Sequence, residues 1–187
     1  MDLKISNWIV NTFGSSKIFA EIAKLFSWLG SKWVIMAVLL VLFCFKRTRK
    51  MAVVTAIVGM VAFLFNDYLL KLIIHRNRPF EDEPSLVKIM NLINYTHPSG
   101  SSMPSGHAAV AMGVAISMMM FSRRFGVPAV IWAVLVGASR LCLCAHYFTD
   151  VLAGFAVGAV FAVVIYFISK VIIKKYFSRG HAQANRK

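Results

Sequence analysis

Four long apolar runs dominate the chain: Met51 to Leu70, Gly106 to Phe121, Val127 to Cys144 and Val151 to Ile173. A fifth, weaker run extends from about Ser27 to Phe45 and is interrupted by Gly30 and Lys32. Crossing a bilayer takes about 20 apolar residues, so the pattern predicts five membrane-spanning helices. Gly106 to Phe121 is short unless Ser102 to Ser105 extend it. The expected fold class is all-α, a polytopic transmembrane helical bundle. Residues 3–26 read differently, because Ile5, Trp8, Ile9, Phe13, Phe19, Ile22, Ala23, Leu25 and Phe26 are dispersed among polar residues. That spacing predicts an amphipathic helix lying on the membrane interface. A sixth span is the alternative, disfavoured by Lys17, Glu21 and Lys24. The chain thus divides into an interfacial helix (1–30), a membrane domain (31–173) and a basic cytoplasmic tail (174–187). No signal-peptide core, repeat or low-complexity tract is visible.

Composition agrees with the pattern. Of 187 residues, 59% are hydrophobic and 15% charged, where soluble domains run near a quarter charged. The net charge of +14 raises the question of nucleic acid, but its distribution answers against it. Lys46, Arg47, Arg49 and Lys50 form one cluster, Arg123 and Arg124 a second, and Lys170, Lys174, Lys175, Arg179, Arg186 and Lys187 a third. Each sits at the end of an apolar run, the positive-inside pattern of a multi-pass membrane protein. With these clusters in the cytoplasm, residues 71–105 and 145–150 face outward from a cytoplasmic membrane. Cys44, Cys142 and Cys144 are odd in number and lie in apolar runs, so they suggest no disulfide framework. Asn94-Tyr95-Thr96 matches a glycosylation acceptor, a triplet too common to carry weight.

Three polar groups stand at the outward ends of the spans, where ionisable residues are functional suspects. In Lys71 to Pro79, a helix continuing to Pro79 would put Lys71 and Arg78 two turns apart on one face, able to clamp a phosphate. Snorkelling to lipid head groups is the favoured account of that segment taken alone. In Pro104-Ser105-Gly106-His107, Ser105 can cap the following helix, Gly106 admits a ligand to the backbone, and the free amides attract anions. An ordinary capped helix with a satisfied histidine is the competing account. In Ser139 to Asp150, a continuous helix would bring Asp150 beside His146, where it can fix the imidazole tautomer. Arg140, an arginine inside an apolar run, favours function there.

Lys71 to Pro79 reads Lys-x6-Arg-Pro, Pro104 to His107 reads Pro-Ser-Gly-His, and Ser139 to Asp150 reads Ser-Arg-x5-His-x3-Asp. In these eleven fixed positions, in order and unbroken, residues 51 to 172 resemble the type 2 phosphatidic acid phosphatases. The resemblance implies a phosphate pocket of Lys71, Arg78, Ser105, Gly106 and Arg140. It also implies His146 as nucleophile, Asp150 as its orienting partner and His107 as acid for the leaving group. Many bacterial relatives have six spans, so this chain departs from them at its front. Asp67, four residues before Lys71 and outside the motifs, is placed to pair with it, and Gly154 and Gly158 form a small-xxx-small face for packing.

The expected function is hydrolysis of a lipid phosphate or diphosphate at the outer membrane face, through a phosphohistidine. By family analogy an isoprenyl diphosphate carrier such as undecaprenyl diphosphate ranks first, and phosphatidylglycerol phosphate or phosphatidate second. No cofactor and no metal are expected, since the histidines and Asp150 already have roles and Glu81-Asp82-Glu83 reads as a solvated loop. The membrane and the lipid substrate are the expected partners, with no nucleic acid and no obligate protein. A transporter would carry its charges nearer the midplane, and a passive lipid-binding protein would not need both histidines with Asp150.

Overall fold

The computed structural model describes residues 1–13 and 16–184, with side chains to Lys175. The helices are α1 (Asp2–Phe13), α2 (Lys17–Leu29), α3 (Lys32–Cys44), α4 (Arg49–Phe65), α5 (Lys71–Ile73), α6 (Pro79–Asp82), α7 (Val87–Leu92), α8 (Gly106–Phe121), α9 (Arg123–Cys142) and α10 (Phe148–Ala184). Among the described residues, Arg49–Ile73, Arg123–Cys142 and Phe148–Lys175 are long and apolar enough to cross a membrane. A fourth crossing is available to α2 and α3 together, bent by 52°, and α8 is a shorter apolar helix. The fold is an all-helical, multi-pass bundle, as expected from the runs.

The front of the chain differs from the expectation. Residues 3–26 are not one helix: α1 ends at Phe13, and α2 restarts at Lys17 behind Ser16, whose hydroxyl accepts from the Phe19 amide at 3.3 Å. The weaker apolar run is also broken, because α2 ends at Leu29 and α3 begins after Ser31, whose hydroxyl accepts from Val34 N. Two serine caps thus set boundaries that hydropathy alone blurs. α2 buries Ala20, Ala23 and Ser27, packs against α9, and turns Ile18, Ile22, Leu25 and Trp28 outward. Such an outer face suits lipid.

α8 is the hub, packed against α4, α9 and α10. Its buried residues include Ala108, Ala109, Ala111, Gly113 and Ala115, small enough to let backbones approach. The expected small-residue face of α10 meets it. A Cβ on Gly158 would lie 2.1 Å from the Ala109 carbonyl oxygen, and one on Gly154 2.5 Å from that of Ser105. Thr55 and Ser117 share a buried hydrogen bond of 2.9 Å that pins α4 to α8. Leu40, Met60 and Val171 are exposed around the outside, as lipid-facing residues must be.

Residues 74–105 are more than a polar connection. Leu86, Ile89 and Met90 are fully buried, and Ile89, Met90 and Ile93 cluster with Ile9, Ala20, Ala23, Leu143 and Ala145. The segment is therefore a cap with its own apolar contacts, resting on α1, α2 and the α9–α10 turn. The acidic triplet is not merely solvated, for it fastens that cap. Glu81 accepts from Arg78 N at 2.8 Å, Asp82 from the Tyr147 hydroxyl at 2.5 Å, and Glu83 from Asn7 at 2.9 Å. The helix order puts the Lys46–Lys50 and Arg123–Arg124 clusters at the end of the bundle opposite this cap. Of the third cluster, the side chains of Arg179, Arg186 and Lys187 lie outside the described residues.

Candidate active site

Lys71 and Arg78 do not share a helical face. Asn66–Leu70 form a π-helical turn and the helix ends at Ile73. The chain leaves it because Ser101 takes over the freed backbone: its hydroxyl donates to Ile74 O at 2.5 Å and accepts from Arg76 N, while Ser102 N donates to Arg76 O at 2.8 Å. Arg78, preceding Pro79, is extended, the conformation a following proline favours. Both cations nevertheless reach one cavity. Arg78, 2% exposed, donates to the carbonyls of Gly100, Ala145 and Ser99. Burial, with Arg140 nearby, pushes its pKa down to about 10, against the pull of Glu81 and Asp150, so it stays charged at neutral pH. Lys71 is paired with Asp67.

Ser105 occupies the N-cap position of α8 but makes no side-chain cap bond. Its hydroxyl is buried without a partner, which departs from the expected capping role. The Ser105 amide donates to the Asp150 carbonyl at 3.0 Å. Gly106 is required by close approach, since a Cβ there would sit 2.8 Å from the Asp67 carboxylate. His107, on the first turn of α8, faces the cavity.

The expected continuous helix through His146 and Asp150 is absent. α9 ends at Cys142, α10 starts at Phe148, and Cys144 between them takes a positive φ of 51°. The His146 Nδ1 lies 2.7 Å from the carbonyl of Ser102 and 3.9 Å from the Asp150 carboxylate. The tautomer is therefore set by a backbone carbonyl, with the proton on Nδ1 and the Nε2 lone pair turned toward Arg78 Nη1, 3.5 Å away. Asp150 acts one step removed, holding Ser102 by its hydroxyl at 2.5 Å and accepting from Tyr147 N at 2.8 Å. Burial, with Arg140 and Arg78 nearby, drives the His146 pKa down to about 4, although Asp150 pulls the other way. The imidazole is neutral at physiological pH.

Arg140 is 2% exposed and donates to Ser27 at 2.5 Å and to the Tyr95 hydroxyl at 2.6 Å, while its Nε has no partner. Arg78, Arg140, Lys71, Gly106, His107 and His146 all line one cavity of about 420 Å³. Ser105 and Asp150 stand behind its wall. Sequence reasoning missed Ser102, Tyr95 and Arg76. Arg76 binds the outer oxygen of Asp150 at 2.6 Å, Thr149 at 2.7 Å and Asp2 at 2.7 Å, and stacks over Tyr147 at 4.3 Å. Its position two residues before Arg78 was the available clue. Among the described residues, no three His, Cys, Asp or Glu side chains gather as a metal cage.

Fold and site together define a helical membrane protein with a cation-lined cavity built around a neutral, oriented imidazole. The chain belongs to the PAP2 superfamily, matched over residues 48–174. It is 32% identical over 125 residues to the undecaprenyl-diphosphatase BcrC of Bacillus subtilis (strain 168), covering 66% of this chain and 61% of that one. It is 30% identical over 136 residues to an undecaprenyl-diphosphatase of Sulfolobus acidocaldarius, covering 70% and 61%. The chain thus spans 61% of the length of each of these relatives. The crystal structure of a transmembrane PAP2-type phosphatidylglycerolphosphate phosphatase from Bacillus subtilis superposes with a TM-score of 0.70 at 25% identity, covering 91% of this chain and 85% of that one.

Proposed function

We propose that this protein is a membrane-embedded phosphatase that removes the terminal phosphate of a lipid phosphate or diphosphate, with a polyprenyl diphosphate such as undecaprenyl diphosphate as first choice. The observation that carries the reading is His146. Its Nδ1 is locked on Ser102, its Nε2 is unprotonated, and the guanidinium of Arg78 is 3.5 Å from that nitrogen. In the proposed reaction Nε2 attacks the terminal phosphorus. The phosphorus–oxygen bond to the lipid breaks, and His107 supplies a proton to the departing oxygen. Water, giving up a proton to the now neutral His107, then attacks the phosphohistidine, which releases inorganic phosphate and restores both imidazoles for the next cycle. Arg78, Arg140, the unpartnered Ser105 hydroxyl and the α8 amides hold the charge that builds on the phosphoryl oxygens. No step needs a metal.

Three features support a lipid substrate approached from the outer leaflet. The cavity opens at the end of the bundle opposite the basic clusters, as the positive-inside rule requires of an outward site. Charges gathered at one end also fit an enzyme better than a transporter, whose site belongs near the midplane. An apolar groove of about 640 Å³ between α3 and α4 shares Trp33 with the polar cavity, a path for a hydrocarbon tail. Phosphatidylglycerol phosphate is the second reading, favoured by the structural neighbour. The test is phosphate release by purified protein from undecaprenyl diphosphate, phosphatidylglycerol phosphate and phosphatidate at equal surface concentration. Fastest turnover of the diphosphate is expected. Fastest turnover of phosphatidylglycerol phosphate would reverse the ranking, and no release from any would reject the phosphatase.

A further inference from the structure

The three motifs place Lys71, Arg78 and Arg140 around the cavity, but their charges are not equally available. Lys71 is already neutralised by Asp67, whose carboxylate also abuts Gly106 at the start of α8. Arg78 and Arg140 surround His146, where the phosphoryl group under attack must sit. A lipid diphosphate carries a second phosphate, and the described motif cations leave none unpaired for it.

Another stretch of the same cavity wall supplies one. It is built by the break between α2 and α3, where Gly30, Ser31, Lys32 and Trp33 face the cavity. The break is fixed against α9: a Cβ on Gly30 would meet the Val136 side chain at 2.5 Å. Lys32 has no carboxylate partner among the described residues. Its ammonium lies 5.4 Å from the Trp33 ring and 5.8 Å from the Phe63 ring, both on the cavity wall. A cation held over aromatic faces is kept in place without being neutralised. Trp33, next in sequence, also begins the apolar groove between α3 and α4. His146, Lys32 and Trp33 line one cavity, and Trp33 also lines that groove, so the site offers a nucleophile, an unneutralised cation and an apolar path, one for each part of a lipid diphosphate: terminal phosphate, retained phosphate, hydrocarbon.

We infer that Lys32 is the subsite for the retained phosphate of a lipid diphosphate, and so a residue that selects diphosphates over monophosphate esters. This rests on the phosphatase reading above. When Nε2 of His146 bonds to the terminal phosphorus, the bridging phosphorus–oxygen bond breaks and its electron pair leaves with the lipid monophosphate. Lys32 is placed to meet that developing charge, and it has no comparable group to meet when the leaving group is an alkoxide.

The test compares wild type, Lys32→Met and Lys32→Arg on undecaprenyl diphosphate and on phosphatidate, in the same micelles, with elution profile and melting temperature confirming intact folding. Lys32→Met is expected to lower kcat/KM for the diphosphate by about tenfold to a hundredfold, less than a fixed, fully buried donor would cost. Phosphatidate hydrolysis should change less than threefold. Lys32→Arg, which keeps the charge and folds without a lost cation, should restore most of the diphosphate activity. Equal loss on both substrates, or no loss on either, in Lys32→Met overturns the subsite, as does failure of Lys32→Arg to restore selectivity. A wild-type protein that releases phosphate from neither lipid would instead overturn the phosphatase reading itself.

Discussion

His146 shows what a motif conveys and what it omits. The spacing to Asp150 was legible and the residues do come together, but the expected direct contact is replaced by a relay in which Ser102 lies between them. No one-dimensional pattern could have named Ser102, because it reaches the site through a loop fold. The low proton affinity of His146 has a thermodynamic consequence. The ordinary value of 6.5 applies to the unfolded chain and about 4 to the folded one, so as pH falls the unfolded state takes up the proton first. The associated stability is fully present above pH 6.5 and is lost progressively down to about 4. His146→Gln should therefore show a shallower fall in melting temperature between pH 7 and pH 4 than wild type, measured in detergent. The two histidines should also separate by substrate. General acid catalysis contributes about a hundredfold to ten-thousandfold, and p-nitrophenolate needs little of it. His107→Ala should cripple lipid monoester hydrolysis far more than hydrolysis of p-nitrophenyl phosphate, whereas His146→Ala should abolish both. Equal residual activity of the two variants on the activated substrate would refute the division of roles.

At the scale of elements, hydropathy located the spans but not their interruptions. The π-helical turn at Asn66–Leu70 and the exits at Ile73 and Cys142 depend on tertiary hydrogen bonds from Ser101 and on the α9–α10 turn, so periodicity extended each helix too far. The front of the chain was blurred for a similar reason, since short side-chain caps at Ser16 and Ser31 override a continuous apolar tendency. The Arg76 network joins three elements: α1 through Asp2, α10 through Thr149 and Asp150, and the segment that carries Arg78. Arg76 touches Asp150 on the side away from His146, which makes it a positioning residue. Arg76→Ala should lower kcat by about tenfold to a hundredfold, in the range expected when an orienting partner is lost, with KM little changed. Arg76→Lys should recover part of that loss, and a rise in KM at constant kcat would contradict the assignment.

For the whole molecule, the all-helical class, the membrane habit and the gathering of Lys71, Arg78, Gly106, His107, Arg140 and His146 around one cavity were legible, because apolar length and fixed motif spacing survive without coordinates. The packed cap of residues 74–105 was not, since its buried Leu86, Ile89 and Met90 are scattered among polar residues. The outward orientation is testable on the same scale. In a background free of native cysteines, Asn91→Cys should react with an impermeant thiol reagent in intact cells, and Arg47→Cys only after permeabilisation. The reverse pattern would invert the topology. The central claim is that His146 becomes phosphorylated, and the most direct measurement is rapid acid-free quenching of the protein with a lipid diphosphate carrying radiolabelled terminal phosphate. The account predicts base-stable, acid-labile label on the peptide containing His146, absent from His146→Ala and chased into inorganic phosphate by unlabelled substrate. Turnover without label on His146, or label on another residue, would contradict it.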